Sequence, residues 1–290
     1  MKHGVNRVTT VVPNSGTPLH SEAFGTPGDP PLLLIMGQMA SMLWWPEGLC
    51  ERLAAGGRYV IRYDQRDTGL SGGDEPGHPS YSAADLVADA AAVLDGHGID
   101  RAHVVGMSMG GIVAQMLALT GPDRVATLTV ISTTSITRPP VHELPDPTPA
   151  YLEQAQQGGE TDWSDTGQIR DAILADCAAL AGTRHPHDAE AARALVTADL
   201  ERAVRPASLI NHTLLGDGND DGPPPKLTSL TVPALVVHGD ADPLFPIEHG
   251  EALAAEMPGA RLERIAGGGH ELHPGDWNQI AGAILAHSAA

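Results

Sequence analysis

The sequence is poor in the residues that mark several classes of protein. It has two cysteines, Cys50 and Cys177, far apart and without metal-like spacing, so we expect two reduced, mostly buried thiols rather than a disulfide. Lys and Arg number 17 against 36 Asp and Glu, a formal net charge of −19. This charge disfavours nucleic acid or an anionic membrane as a partner. No segment approaches the roughly 18 apolar residues of a membrane span, and residues 1–13 contain no signal peptide. We therefore expect a cytoplasmic protein.

The apolar pattern of the 290 residues predicts an α/β fold. Residues 32–36 form a continuous apolar run, which is typical of a strand buried on both faces and hence of a parallel sheet. Helical segments separate the later strands, and such segments supply the crossovers that parallel strands need. We predict a mostly parallel, eight-stranded sheet with helices on both faces. The predicted strands are residues 4–12, 17–24, 32–36, 59–63, 102–105, 127–131, 234–238 and 261–265, and helices are predicted at 44–55, 82–96, 112–119, 248–256 and 277–287.

The segment after the sixth strand differs in character from the rest. Residues 138–149 are rich in proline, residues 150–215 have the pattern of several helices, and residues 216–225 are a Gly/Asp/Pro linker. Alternation of strands and helices resumes directly afterwards. We therefore predict a core formed by residues 1–133 and 227–290, with residues 134–226 inserted as a helical cap, or lid, above the sheet. An independent small helical domain is the alternative.

One stretch matches a nucleophile motif in the context that the motif requires. Gly106-Met107-Ser108-Met109-Gly110 fits G-x-S-x-G, with a β-branched strand before it and an apolar helix after it. A sharp turn from strand to helix leaves room only for small residues two positions before and after the serine. It also directs helix N-terminal amides at developing negative charge. Ser108 is therefore the candidate nucleophile.

Two more polar residues follow predicted strands and complete a candidate catalytic triad. Asp242 comes after residues 234–238, and His270 comes after residues 261–265. Ligands of such sheets bind beyond the carboxyl ends of the strands, and Ser, Asp, His is the triad order of this type of fold. A serine hydroxyl needs an imidazole to take its proton, and a carboxylate orients that imidazole.

Other residues of the same loops are weaker candidates. Asp240 lies closer to its strand and is expected to support the turn, while His238 is expected to be structural. His273 lacks the glycine run, residues 267–269, that precedes His270.

The oxyanion of the reaction needs two preorganised amides. We expect them to be the N–H groups of Met109, directly after the serine, and of Gln38, in the loop after residues 32–36. The candidates for substrate contact are Gly37, Trp45 and Met107. There is no metal-ligand cluster or phosphate-binding glycine loop in the sequence, so no cofactor is expected.

Three segments besides the G-x-S-x-G motif resemble the α/β-hydrolase superfamily. Residues 63–71 are similar to its D-x-R-G-x-G-x-S segment, residues 238–246 to its H-G-x-x-D-x-x-x-P acid loop, and residues 267–270 to its G-x-G-H loop. The resemblance implies Asp242 as the acid. The chain departs from the common pattern at Met36, where the superfamily has His before Gly37, at Met107 and at Asp67. The Met-Gly and Arg-Asp-Thr-Gly variants resemble the aclacinomycin methylesterase-like branch, which hydrolyses a methyl ester on a polyketide aglycone.

The leading hypothesis is thus a serine hydrolase that acts on a carboxylic ester of a small, largely apolar molecule. The sequence favours no particular oligomeric state of the protein. A serine at the elbow disfavours haloalkane dehalogenase or epoxide hydrolase chemistry, which uses aspartate there. The same triad also permits a lactonase, an iminopeptidase-like amide hydrolase or a carbon–carbon hydrolase. A ligand-binding protein on a hydrolase scaffold is a further alternative.

Overall fold

A computed structural model describes residues 8–14, 16–157, 161–215 and 225–289. The described strands are β1 (Val8–Asn14), β2 (Thr17–Phe24), β3 (Pro31–Ile35), β4 (Tyr59–Tyr63), β5 (Ala102–Met107), β6 (Val125–Ile131), β7 (Ala234–Gly239) and β8 (Arg261–Ile265). They form one eight-stranded sheet in the order β1-β2-β4-β3-β5-β6-β7-β8. β2 is antiparallel to both of its neighbours, and the pairs from β4 to β8 are all parallel. The predicted mostly parallel sheet of eight strands is confirmed. Residues 4–7 of the first predicted strand lie outside the described residues.

Helices cover both faces of the sheet, as predicted. Along β3, Leu32 and Leu34 pack into one apolar cluster, while Leu33 and Ile35 pack into another on the opposite face. The described α-helices are α1 (Glu47–Ala55), α2 (Ala83–Gly96), α3 (Met109–Thr120), α4 (Pro149–Gln157), α5 (Thr166–Ala179), α6 (Ala189–Arg202), α7 (Ile247–Glu256) and α8 (Trp277–His287), and 3-10 helices are Met42–Trp44, Pro122–Arg124, Pro206–Thr213, Leu227–Ser229 and Pro274–Asp276. The first cluster includes side chains of α1 and α8, and the second includes side chains of α2, α3 and α7.

The first helix begins later than predicted. The sequence predicts a helix from Trp44, but α1 begins at Glu47, after a separate 3-10 turn, Met42–Trp44. Pro46 occupies the N-cap position of α1. Its ring disfavours a helical conformation of the preceding residue, so the two helical segments cannot join.

In the described residues, three α-helices and two 3-10 helices, Pro206–Thr213 and Leu227–Ser229, lie between β6 and β7. We call residues 134–226 the insert; the predicted linker, residues 216–225, lies almost wholly outside the described residues. Four buried side chains of the insert, Ile169, Val196, Leu200 and Leu209, form a separate apolar cluster. Met39 and Trp44, from the loop after β3, pack against this cluster. The insert therefore lies against the carboxyl-terminal edge of the sheet.

Cys50 is a buried free thiol and Cys177 a half-buried one, as predicted. Within the described part of the chain, no helix has the length and apolar character needed to cross a bilayer.

Candidate active site

Ser108 lies at a strained turn between β5 and α3. β5 ends at Met107 and α3 begins at Met109, and Ser108 has φ 53° and ψ −123°. A positive φ is costly for a residue with a side chain and persists only where its surroundings enforce it. Here the Ser108 N–H donates to the Ile131 carbonyl at 3.0 Å. The Thr133 hydroxyl donates to the Ser108 carbonyl at 2.7 Å. Ser108 is half-buried, so its side chain stays accessible.

Close backbone contacts explain the glycines on either side of Ser108. A Cβ atom on Gly106 would lie 2.1 Å from the Gly110 carbonyl oxygen, and one on Gly110 would lie 2.2 Å from the Ile35 carbonyl oxygen. Neither position can hold a side chain. The G-x-S-x-G spacing thus corresponds to steric contacts at this turn.

Asp242 and His270 form a buried hydrogen-bonded pair. His270 Nδ1 and Asp242 Oδ2 are 2.8 Å apart, and the two residues are 8% and 2% exposed. The other carboxylate oxygen accepts from the N–H groups of Leu244 and Phe245, at 3.0 and 2.9 Å. Burial alone would raise the pKa of Asp242, but the His270 ring and the Phe245 amide outweigh it and lower the pKa. An ionised Asp242 holds the proton on His270 Nδ1 and leaves Nε2 to act as a base.

The loop after β3 approaches Ser108 directly. A Cβ atom on Gly37 would lie 3.1 Å from Ser108 Cβ and 3.7 Å from Ser108 Oγ. Among the described residues, neither the Gln38 N–H nor the Met109 N–H has a hydrogen-bond acceptor. Met109 is the first residue of α3, where backbone N–H groups have no partner within the helix. Both predicted oxyanion donors are therefore free to bind a ligand. In the described part of the chain, no hydrogen bond joins Ser108 Oγ to His270. Catalytic hydrogen bonds of this kind often tighten only when substrate is present.

The weaker candidates of these loops have structural contacts. Asp240 Oδ1 accepts from the Gly267 N–H at 2.5 Å. His238 is fully buried, donates through Nε2 to the Phe245 carbonyl at 2.8 Å, and has a pKa lowered by burial. His273 stacks on His185 with ring centroids 4.1 Å apart.

Two of the predicted substrate contacts are in the protein core. Trp45 is 0% exposed and Met107 is 6% exposed, and both belong to the cluster under α1 and α8. This burial contradicts the expectation that their side chains contact substrate. Trp44 is half-buried instead, and its indole N–H donates to Asp199 of α6 at 2.7 Å.

One cluster has the composition of a metal site but not its geometry. His185, His273 and Asp276 offer ligand atoms within 4.8 Å of one another. The two imidazole planes are 8° from parallel. A metal ion lies in the plane of each imidazole that binds it, and two stacked parallel planes share no such point. Asp276 Oδ1 also pairs with Arg184 at 3.3 Å and with His185 at 3.1 Å. The cluster therefore connects the insert to the loop after His270.

Residues of the insert also contact the His270 loop, which sequence reasoning missed. The His270 N–H donates to the Leu180 carbonyl at 2.9 Å, and the Thr183 N–H donates to the Gly267 carbonyl at 2.8 Å. Gly182 N–H donates to Glu271 Oε1 at 3.2 Å. These residues follow α5 without a recognisable motif, so no local pattern signals the contact.

Comparison with known proteins identifies related sequences along most of the chain. A family model described as the alpha/beta hydrolase fold matches residues 30–276. Rhodomycin D methylesterase of Streptomyces peucetius is 36% identical over 300 residues, covering 97% of this chain and 98% of the relative. Rhodomycin D methylesterase of Streptomyces sp. strain C5 is 35% identical with the same coverage of 97% and 98%. Among solved structures, an esterase from Rhodococcus sp. ECU1013 has a TM-score of 0.78 and 24% identity, covering 97% of this chain and 98% of that one. This last similarity concerns the fold alone.

Proposed function

Because the chain belongs to the α/β-hydrolase family, we propose that it is a serine hydrolase that cleaves a carboxylic ester through an acyl-enzyme intermediate. The catalytic residues are Ser108, His270 and Asp242. The observation that carries this proposal is the buried Asp242–His270 pair, with a 2.8 Å hydrogen bond, at the same sheet edge as the strained Ser108 turn. The sequence-based prediction of an ester hydrolase of this superfamily is confirmed by the family match and by the two methylesterase relatives.

The proposed reaction has two stages. Ser108 Oγ attacks the ester carbonyl carbon while His270 Nε2 takes the hydroxyl proton, and Asp242 stabilises the imidazolium that forms. The tetrahedral intermediate collapses, the carbon–oxygen bond to the alcohol breaks, and His270 returns the proton to the departing alcohol. Water then attacks the acyl-enzyme with His270 again as base. The carboxylic acid leaves and Ser108 is restored.

The amides of Gln38 and Met109 stabilise the oxyanion in both stages. Each lies next to the nucleophile, one through the Gly37 loop and the other at the start of α3, and each lacks an acceptor among the described residues. Removal of one such donor typically lowers the rate by about 10²–10³. The Met36-Gly37 variant changes a side chain of this loop but leaves its backbone donors in place.

The substrate class that we propose is a methyl ester of a polyketide-type molecule. Both methylesterase relatives cover nearly the whole chain, insert included. The interface between the insert and the core also suits an apolar ligand, because partly buried apolar side chains border it on both sides. They are Met39, Trp44, Trp163, Ile173, Leu174 and Cys177. We propose that the insert acts as a cap over a substrate bound at this interface.

The proposal is tested by incubating the enzyme with methyl esters of aromatic polyketides and of small aliphatic acids. The expected result is release of methanol and free acid in equal amounts, with higher kcat/KM for the polyketide esters. Ser108→Ala is the matched control, because it removes one oxygen atom and should abolish turnover. Turnover by Ser108→Ala equal to the wild type would refute the catalytic assignment. Equal kcat/KM for both ester classes would refute the substrate class while the reaction type stands.

A further inference from the structure

His212 is a buried histidine of the insert that contacts the loop carrying Gln38. It lies on the 3-10 helix Pro206–Thr213 and is 4% exposed. Its Nδ1 atom is 3.0 Å from the backbone N–H of Met39, and its Nε2 atom is 2.8 Å from the Arg66 carbonyl. One imidazole therefore connects the insert to two loops of the core.

These two partners determine the tautomer of His212. The Met39 amide is a donor, so Nδ1 must accept, and the Arg66 carbonyl is an acceptor, so Nε2 must carry the proton. Burial lowers the pKa of His212, against the opposing effects of the Arg66 carbonyl and the Asp67 charge, and this favours the neutral ring. A protonated ring would direct an N–H at the Met39 amide and lose that hydrogen bond.

The hydrogen bond acts on a strained residue directly after the proposed oxyanion donor. Met39 has φ 58°, a left-handed conformation that a side chain disfavours. On the other side of Gln38, the Gln65 side chain donates to the Met36 carbonyl at 2.8 Å. The peptides before Gly37 and after Gln38 are thus both held by side chains. The amide between them, which carries the Gln38 N–H, is bracketed by these two contacts.

We infer that His212 is a positioning residue, which orients the Gln38 amide toward the oxyanion by accepting the Met39 N–H. The inference rests on the proposed function, since it assumes that Gln38 stabilises an oxyanion. It assigns part of the catalytic geometry to the insert, since His212 lies 173 residues after Met39 in the sequence.

The surrounding contacts allow this role to be separated from folding. The same 3-10 helix is held by Asn211, whose side chain donates to Asp67 at 3.0 Å and accepts from the Gly77 N–H at 2.7 Å. Ser208 Oγ also donates to the Asp74 carbonyl at 2.9 Å. Loss of the His212 ring therefore leaves the helix attached to the core.

The test compares two variants at position 212. His212→Leu keeps an apolar side chain without an acceptor, whereas the amide oxygen of His212→Asn can take the position of Nδ1. The measurements are kcat and KM with a p-nitrophenyl ester, the inhibition constant of a trifluoromethyl ketone, and Tm. We expect kcat of His212→Leu to fall by up to about 10²-fold, the lower end of the effect of losing an oxyanion donor. KM should change little, the ketone should bind more weakly in proportion to kcat/KM, and His212→Asn should recover most of kcat.

His287→Leu is the control for loss of a buried histidine. His287 is 6% exposed and donates through Nε2 to the carbonyls of Leu128 and Pro233, at 3.2 and 3.3 Å. Its partners precede the carboxyl ends of β6 and β7, away from Ser108. This variant should lower Tm and leave kcat unchanged.

Two results would overturn the inference while the proposed function stands. One is wild-type kcat in His212→Leu alongside an inactive Ser108→Ala variant. The other is an equal loss of kcat in His212→Asn and His212→Leu, which would mean that an acceptor for the Met39 N–H does not determine kcat. Absence of ester turnover in the wild-type protein would overturn the proposed function and the inference together.

Discussion

Gly182 of the insert packs against the backbone of the loop that carries His270, and its replacement by alanine tests that contact. A Cβ atom at position 182 would lie 2.3 Å from the Gly267 carbonyl oxygen and 2.4 Å from the Gly269 nitrogen. Ordinary contacts of a Cβ atom begin at 3.4 Å. The methyl group therefore forces a displacement of about 1 Å, and the atoms that must yield are backbone atoms beside His270. A misplacement of about 1 Å can reduce a rate by about 10²-fold.

We expect Gly182→Ala to lower kcat by one to two orders of magnitude with a p-nitrophenyl ester, and overpacking to cost about 1–3 kcal/mol of stability. Steady-state kinetics and urea unfolding measure the two effects separately. Gly282→Ala is the matched control, because a Cβ atom at that position in α8 meets nothing within 4 Å. It should keep wild-type kcat and gain stability from the higher helix propensity of alanine. A Gly182→Ala variant with wild-type kcat and stability would show that the insert does not constrain the His270 loop.

Three further predictions concern the acid, a buried ion pair and pH. Asp242→Asn should lower kcat by about 10⁴, as loss of the orienting carboxylate does in other triads, with Tm measured alongside to exclude unfolding. Asp89 accepts from Arg66 at 2.6 Å and its side chain is 1% exposed, so Arg66→Leu leaves a buried charge without its partner. Urea unfolding should show that the free energy of unfolding falls by about 3–5 kcal/mol. The Arg66→Leu/Asp89→Leu double variant should recover part of this loss. Burial lowers the pKa of His103 to about 4, so the unfolded chain binds a proton between about pH 6.5 and 4 that the folded chain does not. The free energy of unfolding should therefore fall as pH falls through this window, by about 1.4 kcal/mol per pH unit for each such proton. Unfolding at several pH values should give a shallower slope for His103→Gln; an unchanged slope would contradict the assignment. Burial also lowers the pKa of His97, His212, His238 and His287.

The parts of the fold that sequence predicted well are those fixed by local pattern. β4 and α8 have the predicted bounds, and β3 differs from prediction by one residue at each end. Continuous apolar runs and periodic helices are local signals, and they determine which segments are buried. The predicted start of α1 at Trp44 is wrong because Pro46 restricts the residue before it, so that the helix begins only at Glu47.

The candidate site also has a part that local patterns predict and a part that depends on tertiary packing. Ser108, Asp242 and His270 follow parallel strands of one sheet, so the topology places all three at the same edge of that sheet. Which side chain of the Trp44–Trp45 pair is buried depends on packing, and the predicted substrate contact of Trp45 is wrong because Trp45 is fully buried while Trp44 is half-buried. The contacts of the insert with the core were not predictable, because they join residues far apart in sequence through backbone groups and through side chains such as His212 and Asn211.

The central claim is that Ser108 is a nucleophile activated by His270. The most direct measurement is covalent labelling of the intact protein by a fluorophosphonate, followed by peptide mass spectrometry at neutral pH. We predict one label, on Ser108, no label in Ser108→Ala, and strongly slowed labelling in a folded His270→Ala variant. Failure of the folded wild-type protein to react, or equal labelling of Ser108→Ala, would contradict the claim.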